Sequence, residues 1–424
     1  MRVFLVTSSI PSREHRTAGA IAIVSHEAAC ALRDAGHEVI VQTIFAPGRT
    51  ETLSSRERSD LELMRGEGLR TEEPLQAPIG LLGASRQAAL RQAFAPTPWA
   101  FYPSLALADL VRERVQGLDA DIVFELWSPE ALAACSRVEP PVFNYQGNPD
   151  QLPEQARLKH PELFEINTRT VRQRVFLQLR RQAARNWGKA HLGLMAGCRW
   201  TANNSALDAA FYTEHGHPRS YYLQNMWPSA PGDWPRVRAA GPPEPGTIVG
   251  SIGNLRSTGN TFGLLFLGRE IVPALERELG DGFSLDVFGP STPRPLVAAA
   301  LDRPQIRFRG WVDDIDQEIA ASGVFLIANN NCDDFRVGHT RVLHAWSLGA
   351  CLVAHEGIAL AMPEIVHGEN ALLGSSAEEL AGHLAAVVRD RKLRRQLGDA
   401  GHATFQRWFR PSVVIERALS IISG

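Results

Sequence analysis

Two basic side chains and a hydroxyl lie close together in the segment DDFRVGHTRVLHAWSLGACLVAH, residues 333–355. Its pattern predicts a loop, then a helix, then a buried strand. Gly338, Thr340 and Arg341 stand at the predicted helix start, where free backbone N–H groups favour a bound phosphate. Arg336 adds a second cation in the preceding loop. We predict that this segment binds the phosphates of an anionic ligand.

A second stretch of this kind is VGSIGNLRSTGNT, residues 249–261. It runs from a predicted strand into a predicted helix, and its glycines permit the backbone to approach a ligand closely. We predict that Gly253, Asn254 and Arg256 contact phosphate here. The alternative is an ordinary tight turn between a strand and a helix.

The elements that must position these loops indicate an α/β protein. RVFLVTSSI, the helical spacing that follows it and EVIVQTIF form a strand, a helix and a strand within the first 45 residues. Such a unit implies a parallel sheet covered by helices. A second alternating series of strands and helices begins at Gly246.

A proline-rich segment separates the two series. PSAPGDWPRVRAAGPPEPG contains six prolines, and proline disfavours both helix and strand. We therefore predict an N-terminal domain over residues 1–228, a linker over 229–246 and a C-terminal domain over 247–405. Ligands of such sheets bind at the carboxyl ends of the strands, so a cleft between the domains is the expected site.

The bulk composition limits the class of protein. A chain of 424 residues suggests two domains. Its hydrophobic content of 44% and charged content of 21% are typical of a soluble globular protein. A formal net charge of −2 argues against a nucleic-acid-binding protein that depends on phosphate contacts.

The cysteines and the apolar segments predict a cytoplasmic location. The five cysteines are scattered and form no CxxC pair, which favours reduced thiols and argues against a zinc site. The N-terminus has the pattern of a core strand rather than of a secretory signal. No run of 18 apolar residues is present, so we expect no membrane-spanning helix.

A basic helix leaves contact with a membrane surface open. RTVRQRVFLQLRRQAARNW, residues 169–187, carries six arginines with apolar residues between them. One interpretation is that this helix lies on anionic lipid at the inner membrane face or meets an anionic acceptor. The other interpretation is a solvated face above an apolar core stripe.

The ordered succession of motifs resembles the GT-B glycosyltransferases, in particular the retaining group called glycosyltransferase family 4, or glycosyl transferases group 1. The resemblance covers nearly the whole chain. The N-terminal AGAIAIVSHEAACALRDAGHEVIV looks like the family's glycine-containing loop and first helix. The later segments that carry it are, in order, LDVFG, IRFRGWVDDI, GVFLIANN, RVLHAWSLGACLVA and RKLRRQLGDAGHATFQRWF.

This resemblance implies a fold. It is an α/β fold of the GT-B type, with two Rossmann-like, doubly wound domains that face a cleft. The last helix, within residues 406–424, would cross back to the N-terminal domain. Trp408 and Phe409 would be its packing anchors.

The donor-site motifs depart from the family pattern. In the family, an arginine directly after Gly253 and a lysine five residues later bind the diphosphate; here these positions hold Asn254 and Gly259. We infer that Arg336 and Arg341 supply the missing cations. The alternative is that Arg341 is an ordinary surface residue and the site is degenerate.

The carboxylates of the family are replaced as well. The second carboxylate of the family pair aligns with His344, and the first aligns with Arg336. If the loop contains an insertion, Asp333 or Asp334 would serve as the first carboxylate. In FNYQGNPDQ the family often has a functional histidine, and Tyr145 stands in this loop here. Arg336, His344, Asp334 and Tyr145 are therefore the predicted catalytic residues.

Two further groups of residues follow from the resemblance. In the family, the backbone beside Gly310 faces the nucleobase, so we expect the base or sugar near Gly310, Trp311 and Val312. Trp311 would either stack on the ligand or serve in packing. The residues expected on the acceptor side are Thr17, Gly19, Gln146 and Asn148; for Thr17 and Gly19 the alternative is a solvated turn.

The resulting functional hypothesis is a glycosyltransferase that uses a UDP- or GDP-type nucleotide-diphosphate sugar with retention of anomeric configuration. The sugar nucleotide is a co-substrate, and no cofactor or metal is obligatory. The acceptor is a glycan, lipid, protein or small molecule, and no nucleic acid is involved. A rival hypothesis is a catalytically silent GT-B binding or partner subunit, and a third is a sugar-nucleotide epimerase.

Overall fold

The computed structural model describes residues 1–14, 19–45, 52–77, 86–102, 105–149, 151–217, 219–229, 246–333, 335–336 and 339–424. The predicted site residues Thr17, Asp334 and Gly338 lie outside these described residues, as does most of the predicted linker. The chain forms two compact units. The first unit comprises Met1–Leu158, Asn167–Met226 and Pro411–Gly424, and the second unit comprises Lys159–Ile166 and Trp227–Arg410.

The first unit is built on a parallel sheet. Its strands are β1 (Arg2–Thr7), β2 (Glu38–Phe45), β3 (Arg70–Thr71), β4 (Leu75–Gln76), β5 (Ile122–Leu126), β6 (Val142–Gln146), β7 (Trp200–Asn203) and β8 (Ser220–Tyr222). The strand order is β3-β2-β1-β5-β6-β7-β8, and β4 pairs with β2. Its helices that precede β9 in the chain are α1 (Ala20–Asp34), α2 (Ser55–Gly66), α3 (Arg86–Phe94), α4 (Pro98–Phe101), α5 (Leu105–Gly117), α6 (Pro129–Ala134), α7 (Gln151–Lys159), α8 (Val171–Met195) and α9 (Ala206–Glu214), where β9 (Thr247–Ser251) is the first strand of the second unit.

Strand β1 shows why this sheet is covered on both faces. Val3 and Leu5 belong to one hydrophobic core, whereas Phe4 and Val6 belong to another. Side chains alternate along a strand, so an uninterrupted apolar run requires a hydrophobic layer on each side. The sequence prediction of a parallel sheet covered by helices is confirmed for this unit.

The second unit has a parallel sheet of its own. Its strands are β9 (Thr247–Ser251), β10 (Ser284–Phe288), β11 (Ile306–Gly310), β12 (Val324–Ile327), β13 (Cys351–His355) and β14 (Ala371–Gly374). Its helices are α10 (Thr258–Phe266), α11 (Val272–Leu279), α12 (Pro295–Ala300), α13 (Ile315–Ser322), α14 (Thr340–Ser347), α15 (Gly357–Ala361), α16 (Ala377–Arg389) and α17 (Arg391–Trp408). A π-helical turn over Leu267–Ile271 joins α10 to α11.

The strand order of this second sheet creates a switch point. The order is β11-β10-β9-β12-β13-β14, so the chain builds outward from β9 in one direction and from β12 in the other. The loops that leave β9 and β12 therefore diverge at the carboxyl ends of neighbouring strands. In open α/β sheets this is where ligands bind.

The last helix, α18 (Pro411–Ser423), belongs to the first unit. Its Val414, Ile415 and Ala418 are buried in the same core as Val3 and Leu5. The two expected anchors, Trp408 and Phe409, belong to the second unit. Phe409 is fully buried in the second unit, where its ring lies 6.2 Å from that of Trp346, and Trp408 ends α17.

None of the helices in the described residues combines the length and the apolar character needed to cross a membrane. In α8, Val171 and Val175 are 68% and 56% exposed, so these two valines are not part of a core stripe. Contact of this basic helix with lipid or with an anionic acceptor stays a prediction.

Trp346 in α14 provides a test of packing in the second unit. A Cβ atom at Gly401 of α17 would lie 2.4 Å from the indole ring of the fully buried Trp346. We expect Gly401→Ala to lower the free energy of unfolding by about 1–3 kcal/mol, because overpacking forces the neighbouring side chain to move. Urea denaturation measures this change.

Gly382→Ala in the neighbouring helix α16 is the matched control, because nothing lies within 4 Å of the added Cβ there. We expect that substitution to be neutral or to stabilise the helix by roughly 0.5–1 kcal/mol. Equal effects of the two substitutions would contradict the close contact with Trp346.

Candidate functional site

Asn260, in the first turn of α10, connects the loops at the switch point. Its Nδ2 donates to the backbone oxygen of Asn254 at 2.8 Å, in the loop after β9. Its Oδ1 accepts from Arg341 Nη1 at 2.6 Å and from Asn329 Nδ2 at 3.3 Å. One amide therefore holds together the start of α10, the loop after β12 and the start of α14.

His339 directly precedes α14 and contacts the second terminal nitrogen of the Arg341 guanidinium. Arg341 Nη2 lies 3.3 Å from His339 Nδ1, and His339 Nε2 lies 3.1 Å from Asn330 Oδ1. Burial, and after it the charge of Arg341, lower the pKa of His339 well below its ordinary value. A neutral imidazole that accepts at Nδ1 and donates at Nε2 satisfies both contacts.

Arg341 is a cation held by neutral partners. Burial lowers the pKa of Arg341 to about 10, so the guanidinium is protonated near neutral pH. Its hydrogen bonds go to an amide and an imidazole, and among the described residues no carboxylate pairs with it. A partly buried positive charge of this kind is stabilised by an anion. The location predicted for a phosphate therefore has an available positive charge.

Close packing explains why Gly259 stands where the family has a lysine. A Cβ atom at Gly259 would lie 3.0 Å from Asn329 Nδ2, and one at Gly263 would lie 2.8 Å from Asn329 Oδ1. Helix α10 thus approaches the loop after β12 too closely for a long side chain. Arg341 lies beside this contact, where its Nη1 donates to Asn260 Oδ1.

Gly253 and Asn254 form the turn between β9 and α10. Gly253 has φ of 92°, a left-handed conformation that favours glycine, and open space lies where its Cβ would be. Asn254 Oδ1 accepts from the backbone N–H of Arg256 at 3.0 Å and from Ser291 Oγ at 3.2 Å. The side chain of Asn254 therefore shapes the loop.

Arg256 has a carboxylate partner, unlike Arg341. Its Nη2 donates to Glu165 Oε2, and Arg294 Nη1 donates to the same oxygen at 2.8 Å. Arg294 Nη2 also donates to the backbone oxygen of Arg256 at 3.3 Å. The predicted phosphate contact of Arg256 would have to compete with this ion pair.

Arg336 lies near the carboxyl end of β13. Its Nη2 pairs with Asp333 Oδ1, and its Nε is 3.4 Å from the position of a Cβ at Gly357. Burial is the main cause that lowers the pKa of the neighbouring His355, and the charge of Arg336 lowers it further. Thr340, the other described residue of the predicted segment, is the first residue of α14 and is half-buried.

Two predicted catalytic residues point into cores. His344 Nε2 lies 2.6 Å from Asp316 Oδ1, and both side chains are less than a tenth exposed. Tyr145 is fully buried and donates its hydroxyl to the backbone oxygen of Gln224 at 2.8 Å. Burial raises the pKa of that hydroxyl well above its ordinary value. These placements favour structural roles for His344 and Tyr145 rather than the predicted chemistry.

The residues expected at the nucleobase lie at the end of β11. Gly310 has φ of 65°, and its backbone oxygen accepts from the N–H of Gly289 at 2.8 Å. Trp311 is 52% exposed, so its indole is not a core packing residue. Val312 is half-buried beside it.

The acceptor-side residues of the first unit are at the ends of its elements. Gly19 is the exposed residue that precedes α1. Gln146 ends β6, is 2% exposed, and its Nε2 has no hydrogen-bond partner among the described residues. Asn148 follows in the loop and is half-buried.

Several site residues were missed by sequence reasoning, namely Asn260, Asn329, Asn330, His339, Glu165 and Arg294. The run of three asparagines that follows β12 and Ala328 was a usable signal, because asparagine favours turns and ligands bind at the carboxyl ends of strands. Glu165 gave no such signal, since it lies about 90 residues before the loop that it contacts.

Comparison with known proteins gives one match within the second unit. Residues 246–390 match the model of the family described as Glycosyl transferases group 1. The lipopolysaccharide core biosynthesis glycosyltransferase LpsE of Rhizobium meliloti is 28% identical over 124 residues, which are 28% of this chain and 34% of LpsE. The chain thus matches about a third of the length of this curated relative.

Solved structures resemble the entire chain. A crystal structure of Alr3699/HepE from Anabaena, in complex with UDP and glucose, has a TM-score of 0.62 and 14% identity, with full coverage of both chains. TarM, a protein of S. aureus, has a TM-score of 0.63 and 7% identity over 100% of this chain and 99% of its own. These similarities confirm the predicted GT-B fold.

The neutral state of His339 leads to a prediction about pH. In the unfolded chain its imidazole takes up a proton below about pH 6.5, whereas the folded environment resists protonation. Stability is therefore lost as the pH falls below about 6.5. We expect His339→Gln to flatten this loss, by up to about 1.4 kcal/mol per pH unit.

Urea denaturation of both proteins between pH 7 and pH 5 measures the difference. Parallel curves for the wild type and His339→Gln would show that His339 takes up its proton equally well in both states.

Proposed function

We propose that this chain is a glycosyltransferase that uses a nucleoside-diphosphate sugar of the UDP or GDP type, because residues 246–390 match the model of the family described as Glycosyl transferases group 1. The family match supports the class of reaction. The crystallisation of HepE with UDP and glucose supports a nucleotide donor in a protein of the same fold.

The observation that carries the proposal is the charge of Arg341. Its guanidinium lies at the switch point, beside the starts of α10 and α14, with an amide and an imidazole as partners. The leaving group of a sugar nucleotide is a diphosphate, whose negative charge grows as the glycosidic bond breaks. A fixed cation and free helix N–H groups stabilise that charge most strongly in the transition state.

The proposed donor contacts follow from this placement. The diphosphate lies against Gly253, Asn254, Thr340 and Arg341. Gly338, which is outside the described residues, is a further proposed contact. Arg336 supplies a further cation when the ligand displaces Asp333. The base lies near Gly310, Trp311 and Val312.

The proposed mechanism is positioning of the donor together with neutralisation of its diphosphate. It includes no obligatory metal, because guanidinium and backbone N–H groups meet the charge. In line with the family, we propose that the anomeric configuration is retained. The acceptor is a second substrate, and we propose that Gly19, Gln146 and Asn148 contact it.

A second candidate function is a catalytically silent binding subunit. The specific observation in its favour is that His344, at the family's carboxylate position, is bound to Asp316 inside the second unit. Such a protein would bind a nucleotide without releasing its sugar. Binding and turnover must therefore be measured separately.

A thermal-shift experiment tests donor binding. UDP, GDP, ADP, CMP and dTDP are each added to the wild type, and a nucleotide that binds the folded state raises the Tm. We expect a shift with at least one diphosphate. Failure of all five nucleotides to raise the Tm would contradict the proposed site.

Asn260→Asp is the sharpest variant for this experiment. It keeps the shape of the side chain but places a carboxylate oxygen 2.6 Å from Arg341 Nη1, so the guanidinium gains an internal counter-ion. We expect loss of the nucleotide shift, together with a lower Tm without ligand, because the Nδ2 donor to the backbone oxygen of Asn254 becomes a carboxylate oxygen. Arg277→Ala is the control, since Arg277 is exposed and pairs with Glu378 on the helices α11 and α16. A full nucleotide shift in Asn260→Asp would contradict the role of Arg341.

Turnover distinguishes the two candidate functions. The release of nucleoside diphosphate from the donor found by thermal shift is followed with and without acceptor extracts. We expect Arg341→Ala to lower the rate by about 10²–10³-fold, as the loss of one transition-state charge partner does, and Arg341→Lys to retain part of it. Binding without any turnover in the wild type would favour the silent subunit.

A further inference from the structure

Three side chains of types that bind metals meet in the first unit, two from α1 and one from the residue that follows α2. His26 and Cys30 are four residues apart in α1, so they project from the same face on successive turns. Glu67 directly follows α2. The chain folds these distant positions together, with potential ligand atoms of all three within 4.8 Å of one another.

The separations between the facing atoms have the size expected for one bound ion. His26 Nε2 is 3.0 Å from Glu67 Oε2, and Cys30 Sγ is 3.7 Å from each of these atoms. A tetrahedral Zn²⁺ with bonds of about 2.0–2.3 Å places its nitrogen, oxygen and sulfur ligands about 3.3–3.6 Å apart. Shifts of a few tenths of an ångström would place the three atoms at three corners of such a tetrahedron.

We propose that His26, Cys30 and Glu67 bind a Zn²⁺ ion, with a water molecule in the fourth position. Imidazole and thiolate are ligands that Zn²⁺ prefers, and a carboxylate completes the neutral charge of the site. An alkaline-earth ion is disfavoured, because it requires a shell of oxygen ligands. This proposal is independent of the donor site, which lies in the other unit.

The groups around the triangle fit this role. Glu27 Oε1 lies 3.5 Å from Nδ1 of His26, and a carboxylate at the distal ring nitrogen orients a histidine ligand. Arg13 lies 3.8 Å from Oε1 of Glu67, which leaves Oε2 directed at Cys30 and His26. His26 is buried whereas Cys30 and Glu67 are half-buried, so an ion has access from one side.

The same geometry has a competing explanation without metal. Burial alone would lower the pKa of His26, but hydrogen bonds with Cys30, Glu27 and Glu67 raise it to about 10. The cluster would then be a histidinium paired with a carboxylate. The two explanations differ in whether the thiol of Cys30 becomes a ligand.

The cysteine pattern alone argued against zinc, because no CxxC pair is present. A CxxC criterion considers only sites in which two cysteines bind the metal, whereas this cluster contains a single cysteine. The usable signal was the spacing His-x-x-x-Cys of His26 and Cys30 on a helix. The third proposed ligand, Glu67, follows a different helix.

Cobalt titration of the tag-free full chain tests the proposal. Co²⁺ replaces Zn²⁺ in tetrahedral sites and gives visible d–d bands together with a near-ultraviolet sulfur-to-metal charge-transfer band when a thiolate binds. We expect these bands to saturate at one Co²⁺ per chain and to disappear when one equivalent of Zn²⁺ is added. We also expect Zn²⁺ to raise the Tm, because it binds only the folded site.

Substitutions assign the bands to the cluster. Cys30→Ser removes the thiolate and is expected to abolish the charge-transfer band and to weaken Zn²⁺ binding at least tenfold. Glu67→Gln, at a half-buried position, is expected to weaken binding while keeping the sulfur band. Cys198→Ser is the control, since Cys198 is a half-buried thiol of the same unit outside the cluster.

Two results would overturn the proposal. One is the absence of a charge-transfer band and of a Zn²⁺-dependent Tm rise in the wild type, which identifies the cluster as an ion pair. The other is a band that persists in Cys30→Ser or disappears in Cys198→Ser, which places the bound metal elsewhere. Because no nucleotide is present, neither result depends on whether the chain transfers sugars.

Discussion

The positive charge of Arg341 is the constraint on which the geometry of the second unit's switch point depends. A guanidinium taken partly out of water needs hydrogen-bond acceptors on its donors, and a carboxylate would neutralise the charge. Here Asn260 and His339 satisfy hydrogen bonds without cancelling the charge. The neutral histidine is essential to this balance, because an imidazolium would repel the guanidinium. The site is thus arranged to keep one positive charge available.

The close packing of α10 against the loop after β12 and the position of the Arg341 charge depend on the same residue, Asn260. Asn329 fits against α10 only because Gly259 and Gly263 lack side chains, and this contact brings Asn260 within reach of both Asn329 and Arg341. A lysine at position 259 would supply charge but separate the helix from the loop. Moving the cation to the first turn of α14 keeps the close contact and the charge together. Arg256 does not duplicate this role, since Glu165 already pairs with it.

Sequence patterns predicted the fold well because its signals are local. The alternation of Val3, Phe4, Leu5 and Val6 between two cores is visible as an apolar run, and the strand ends indicated the loops that are proposed to bind the donor. The direction in which a side chain points depends on tertiary contacts, which local patterns do not show. Tyr145 and His344 stand at strand or helix positions typical of functional residues, yet each is turned inward by a partner that no sequence pattern indicates. The ion pair of Glu165 with Arg256 and the contact of His26 with Glu67 are likewise tertiary contacts between residues far apart in the sequence.

The pair of His344 and Asp316 has a positional consequence for the donor site. Asp316 is in the first turn of α13, shortly after Gly310, Trp311 and Val312, whereas His344 is one turn beyond Arg341 in α14. Their 2.6 Å contact therefore fixes the segment proposed for the base relative to the cation proposed for the diphosphate. A carboxylate at position 344 would lie against Asp316 and repel it, whereas the imidazole of His344 forms a hydrogen bond with it. At the position where the resembling family carries a carboxylate, this chain therefore has a histidine whose contact with Asp316 sets the distance between two parts of the proposed site.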